Sequence, residues 1–193
     1  MSDHPDDLRH RQALPDALRI LLRDYPRERW ESHANFDGLT RFWLERHLMF
    51  RQLHARLLGA SRDLLDGRID GAAFAPQAAR LGGFMIEQLH GHHQIEDHHY
   101  FPVLAGAEPL LERGFALLDA DHHALDAHLQ ALAQAFNAAL RALQAGGAAS
   151  GKARNKAGAL EKELIGFGGF LDRHLTDEEE LVVPVILHHA LRL

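Results

Sequence analysis

Two stretches of this chain carry the same series of side chains able to hold a metal ion. One begins at His92 and reads HHQIEDHHYFPVL; the other begins at His174 and reads HLTDEEELVVPV. Both contain H-x3-E-x5-P-V, as His92, Glu96, Pro102 and Val103, then as His174, Glu178, Pro184 and Val185. On an α-helix a step of four residues leaves two side chains only about 40° apart, one turn along the axis. A His and a Glu so placed can serve a single metal centre. Imidazole suits iron, and a carboxylate can bridge two cations while neutralising part of their charge. A carboxylate set in an apolar seam with no such partner is costly to bury. The repeated acid is therefore the informative residue.

The elements that would position these groups are helices. Ala, Leu, Arg, Glu and Gln dominate, β-branched residues are few, and no long alternating run appears. The chain reads as all-α. Residues 1–14 read as mobile. A short helix is expected from Pro15, a favoured first helical residue, to about Asp24, with Pro26 interrupting it. Four long helices come next, over about Phe36 to Leu65, Pro76 to Leu104, Pro109 to Gln144 and Ala153 to His188, the last with a kink or break near Pro184. The stretch AGGAASG, 145–151, has the composition of a flexible linker. Long helices with short connections pack as an antiparallel up-down-up-down four-helix bundle. That places the bundle in residues 36–193, with residues 1–35 as a short N-terminal helical arm.

Apolar stripes at helical spacing show which His residues share a face. The first helix lines up Trp43, His47, Phe50, His54 and Leu57; the second Met85, Leu89, His92, Glu96, His99 and Val103. The third carries Leu118, His122, Leu125 and Leu129, and the fourth Leu171, His174, Glu178 and Leu181. Every seam is interrupted by His and two of them also by Glu. The candidate ligands are His47, His92, Glu96, His122, His174 and Glu178. His93, beside its stripe, could reach a metal or a neighbouring carboxylate. His54 lies about 10 Å along its helix from His47, too far to share an ion, so it and His99 have structural or supporting roles. Tyr100, one turn after Glu96, could donate to it. His123 points about 100° off its stripe, and His4, His10, His33, His128, His188 and His189 read as solvated. Trp43 and Phe50 flank His47 and would shield it. Gly82, Gly83, Gly166, Gly168 and Gly169 permit close helix approach.

Composition closes other routes. The 16 His are scattered rather than gathered in a tag, and there is no Cys, which excludes thiolate metal sites, disulfides and a Cys nucleophile. A net charge of −6 disfavours nucleic acid and anionic membranes as partners. No apolar run approaches the ~20 residues of a membrane span, and the polar start MSDHPDDLRHRQ lacks the apolar core of a secretory signal. A cytoplasmic location is expected.

The series H…H-x3-E…H…H-x3-E, with Pro six residues after each Glu, resembles the hemerythrin-like (HHE cation-binding) family over about Phe36 to Val185. The resemblance implies two iron ions, Fe2+ or Fe3+, with Glu96 and Glu178 bridging them and an additional oxo or hydroxo bridge. His47 and His92 would serve one iron, His122 and His174 the other. It also implies a small diatomic ligand, oxygen or nitric oxide, and a metal- or gas-binding protein rather than an enzyme. Oxygen carriers of the family have a second His one turn after the first on the third helix. Here that position is Asp126, a possible ligand or supporting acceptor, and the departure points from oxygen carriage toward sensing of oxygen, nitric oxide or redox state, through a protein partner. Other readings are a peroxide-consuming or oxygen-activating enzyme, iron storage or delivery, and a zinc or other divalent metal in the same residues. Ferritin-like oxidases repeat E-x-x-H on two helices; here only the second helix has it, at Glu87 and His90 and at Glu96 and His99.

Overall fold

The computed structural model describes Leu8, residues 10–146 and residues 150–193. His4, most of the first ten residues and the centre of the AGGAASG linker lie outside the described residues. There is no strand among those described. The long elements are α1 (Gly38–Leu65), α2 (Gly71–Ile95), a π-helical turn (Glu96–Tyr100) leading into α3 (Phe101–Ala107), α4 (Glu112–Gly146) and α5 (Gly151–His189). Side-chain caps start three of them. Asp37 Oδ1 accepts the Thr40 backbone N–H and hydroxyl at 2.8 Å each, Asp70 takes the Ala73 N–H at 2.8 Å, and Ser150 takes the Ala153 N–H at 3.1 Å. The Thr40 N–H holds the Asp37 carboxyl below the usual carboxylate range.

Three expected boundaries shift. The second helix begins at Gly71 rather than Pro76, because Asp70 caps it there and Pro76 falls within its first turns. The fourth stays helical through Pro184 to His189. Instead of one arm helix over residues 15–24, three short 3-10 turns occur at Asp16–Leu18, Leu21–Arg23 and Arg27–Arg29. Residues expected to be mobile are fastened, with Leu8, Arg11 and Leu14 buried, and Leu18 and Trp30 further along the arm are buried too.

Two compact units each take a stretch of every long helix. The first holds the described residues up to Leu48, then His92–Ala124 and Phe170–Leu193; the second holds Met49–Gly91 and Leu125–Gly169. The first unit thus gathers the start of α1, the end of the α2–α3 path, the start of α4 and the end of α5. That alternation is what antiparallel, up-down-up-down order produces. Its apolar core joins Leu14, Leu18 and Trp30 of the arm to Trp43, Phe101, Phe115, Leu118 and the run from Leu181 to Leu187.

The second unit is apolar inside and closes over small residues. His54 Nε2 donates to the Leu164 carbonyl at 2.7 Å, and its ring lies where a Cβ on Gly168 would sit, 2.3 Å away. His54 is thus a packing residue over a glycine. Gly168→Ala is expected to push the ring out and break that hydrogen bond, at about 1–2 kcal/mol. A thermal melt should show the loss, and His54→Ala in the same chain should remove most of the difference between Gly and Ala.

The π-turn sets the register of the helix beyond it. Pro102 has no N–H to give the His98 carbonyl, and its ring would crowd that carbonyl in a regular helix. The backbone widens instead, and the Phe101 N–H reaches back to the Glu96 carbonyl. One extra residue in the turn rotates the downstream helix by about 100° relative to the expected stripe. Phe101 and Leu104 are therefore buried, while Val103 is 51% exposed and His99 is on the surface.

Candidate metal centre

All six ligand candidates lie in the first unit. His47 comes from α1, His92 from the last turn of α2, Glu96 opens the π-turn, His122 comes from α4, and His174 and Glu178 from α5. His47, Glu96, His174 and Glu178 are fully buried, and His92 and His122 nearly so. The imidazoles form two pairs. His47 Nε2 is 3.0 Å from His92 Nε2, and His122 Nε2 is 3.2 Å from His174 Nε2. Each carboxylate spans both pairs. Glu178 Oε2 lies 3.5 Å from His47 Nε2 and 3.5 Å from His174 Nε2. Glu96 Oε1 lies 3.1 Å from His92 Nε2, and its Oε2 lies 3.8 Å from His122 Nε2.

These residues fit metal ions. Two nitrogens each about 2.1 Å from one ion and at right angles to each other stand about 3.0 Å apart, the spacing seen within both pairs. No other side chain or backbone group donates to either oxygen of Glu178 or to Glu96 Oε2, and the two carboxyls face each other; buried carboxylates left so are expensive unless a cation meets them. Burial pushes the Glu178 carboxyl well up, and the nearby Glu96 charge pushes the same way. Glu96 is pushed up to about 7, again chiefly by burial. Burial, and then the neighbouring imidazoles, hold His92 and His174 well below the usual histidine value. With no cation the pocket favours protonated carboxyls and neutral rings; cations would let the acids ionise.

The backs of the rings are held by carboxylates. His47 Nδ1 donates to Glu179 Oε1 at 3.1 Å, and His122 Nδ1 donates to Asp97 Oδ1 at 2.6 Å. Asp121 Oδ2 stands 3.6 Å from His174 Nδ1. A carboxylate at Nδ1 draws the proton there and leaves the Nε2 lone pair facing inward, as a metal ligand requires. Trp43 lies over the His47 ring at 4.1 Å between centroids and donates Nε1–H to Glu96 Oε1 at 2.6 Å.

At this centre potential ligand atoms cluster in two groups, His47 with His92, Glu96 and Glu178, and His93 with His122 and His174; a third group, Glu108 with His188 and His189, lies apart from the six candidates. His93 thus belongs with the second pair: it is buried, and its ring stacks on His122 at 4.1 Å. Asp126 lies in the other unit, with its side chain 42% exposed and its carboxylate 3.6 Å from His90 Nδ1. His54 is in that unit too. The donor to Glu96 is Trp43, while Tyr100 packs against the apolar core. His123 is exposed.

Sequence reading missed the carboxylates behind the rings. Asp97, Asp121 and Glu179 each adjoin a ligand candidate, and neighbours on a regular helix point about 100° apart, so none of them falls on a stripe. The run Asp177 to Glu180 looks like a solvated acidic patch, yet Asp177, Glu178 and Glu179 are all buried. Adjacency to a ligand was the available signal.

The family model of the hemerythrin HHE cation-binding domain matches residues 38–186. No curated protein matches the chain, and no solved structure does.

Proposed function

Because the chain belongs to the hemerythrin HHE cation-binding family, we propose that it holds a carboxylate-bridged pair of iron ions and binds or senses oxygen, nitric oxide or redox state. The observation that carries this reading is that each of two carboxylates reaches both His pairs. Glu96 and Glu178 would bridge. His47 and His92 would hold one ion, and His122 and His174 the other, with His93 placed to join the second. Bound iron supplies the affinity for a diatomic ligand and the change of oxidation state. The chain supplies the rest. Two buried carboxylates offset cationic charge, Glu179 and Asp97 orient and enrich two of the imidazoles, and Trp43 covers His47 and fixes Glu96.

The anionic surroundings favour sensing over carriage. Hydrogen bonding of His47 and His122 to carboxylates makes these imidazoles stronger donors. That stabilises the more highly charged, oxidised metal. Protein purified anaerobically is expected to contain about two irons per chain, with Mössbauer features of a bridged pair, and to oxidise within minutes of exposure to air. An oxygenated spectrum persisting for hours would overturn the sensing reading. A single zinc per chain would overturn the iron reading. No described helix is long and apolar enough to cross a membrane.

A further inference from the structure

Two of the acids behind the imidazoles are themselves gripped from the N-terminal arm. Arg27 Nη1 donates to Glu179 Oε2 at 2.5 Å, while Glu179 Oε1 takes the His47 Nδ1 proton at 3.1 Å. Arg11 forks onto Asp121, through Nη1 to Oδ1 at 3.3 Å and through Nη2 to Oδ2. Asp121 Oδ2 is the atom facing His174 Nδ1. Arg11 Nε also donates to Asp177 Oδ2 at 2.8 Å. Asp177 Oδ1 in turn accepts the Leu14 backbone N–H at 3.1 Å and pairs with Arg173 at 2.5 Å. One arm arginine thus stands behind each His pair: Arg27 behind His47, and Arg11 behind His174.

We propose that Arg11 and Arg27 are positioning residues for the metal pair: Arg27 closes an Arg–carboxylate–His relay behind His47, and Arg11 holds the Asp121 carboxylate beside His174. This rests on the metal-pair reading above. Both arginines lie outside the 38–186 span that matches the family model, so the arm completes a centre whose ligands all come from the helices.

The chemistry requires such partners. Asp121 and Asp177 are buried, and a buried carboxylate keeps its place only where cations or hydrogen-bond donors meet it. A guanidinium offers a planar fork that fixes two carboxylates at once, which an ammonium cannot do. The Arg11 side chain is 2% exposed, so its loss endangers the fold itself. The Arg27 side chain is 46% exposed, and a pair of that exposure adds little to stability. Arg27 therefore separates positioning from folding.

The test uses full-length protein loaded anaerobically with ferrous iron, with release followed on adding a ferrous chelator. Absorption of the oxidised form is recorded in parallel. Arg27→Gln is expected to keep its helicity and melting temperature, to release iron about tenfold faster, as loss of an outer hydrogen-bonding partner does, and to shift the ferric absorption bands. Arg27→Lys keeps a cation at a single contact and is expected to restore both readouts. Arg11→Lys keeps the charge but loses the fork, so release should again be faster. The exposed Arg23, changed to Gln, should behave as the parent does. Release and absorption unchanged in folded Arg27→Gln would overturn the proposal. Parent protein that retains no iron would overturn the metal-pair reading before any variant is compared.

Discussion

Glu178→Gln is expected to cost the centre on the order of a hundredfold or more in metal affinity, yet to leave the metal-free fold more stable than the parent at pH 8. Glu178 Oε2 is equidistant, at 3.5 Å, from one imidazole of each pair. A neutral amide in its place would remove a bridging charge from both halves at once. In the metal-free protein the same carboxylate is a burden. It is fully buried, no group other than the Glu96 carboxyl meets its oxygens, and burial with the nearby Glu96 pushes its pKa well up. A neutral amide removes the cost of holding that carboxyl in the core, so the metal-free variant is expected to gain stability. Denaturant unfolding with and without iron tests both halves. Metal retention equal to the parent's, or a metal-free variant less stable than the metal-free parent, would contradict the account. Conventional loss of packing would lower stability in both states, so the opposite signs are diagnostic.

The metal-free protein is expected to lose stability as pH rises above about 6.5, and the iron-loaded protein is not. Glu96 and Glu178 have folded pKa values above the unfolded value of 4.5. The folded state therefore holds protons that the unfolded state has released, and stability falls as pH climbs from about 4.5 through the folded values. For Glu96, pushed up to about 7, the whole effect is on the order of 3 kcal/mol. His92 and His174 work the other way, since their folded values lie below the unfolded one. Their contribution is lost as pH falls below about 6.5 and masks the acid effect there. Above that point the imidazoles of the unfolded chain shed their remaining charge and the carboxyls dominate the slope. Iron reverses the requirement, because it binds ionised carboxylates and neutral rings, and each added proton competes with it. Melting temperatures from pH 6.5 to 8.5 should fall without iron and hold or rise with it. Parallel trends would sink this prediction.

Much of the helical frame was legible because it rests on local signals. Apolar stripes at 3.6-residue spacing marked the four long elements, and the two H-x3-E steps marked the faces that meet at the centre. The turn beginning at Glu96 was not legible. A proline six residues past an acid is as compatible with an unbroken helix, as at Pro184, as with a widened turn, as at Pro102. Which one forms depends on what the downstream face must pack against, and that dependence put both His99 and Val103 on the surface instead of in the seam. The arm was illegible for another reason. Arg11 and Arg27 sit in a segment with no periodic face, and nothing local distinguishes an arginine destined for a buried acid from one in water. Leu14 and Trp30, which anchor that segment in the core, looked like isolated apolar residues.

The grip of Arg11 also sets an order of events in the life of the chain. Its partners lie 110 and 166 residues downstream. At a synthesis rate of about 5–20 residues per second, Asp177 emerges roughly ten to thirty seconds after Arg11. During that interval His47, His92 and His122 can already sit on formed helices, but the wall behind the rings cannot close. The arm docks only once α5 is made, and an ion taken up by a nascent chain would remain exchangeable until then.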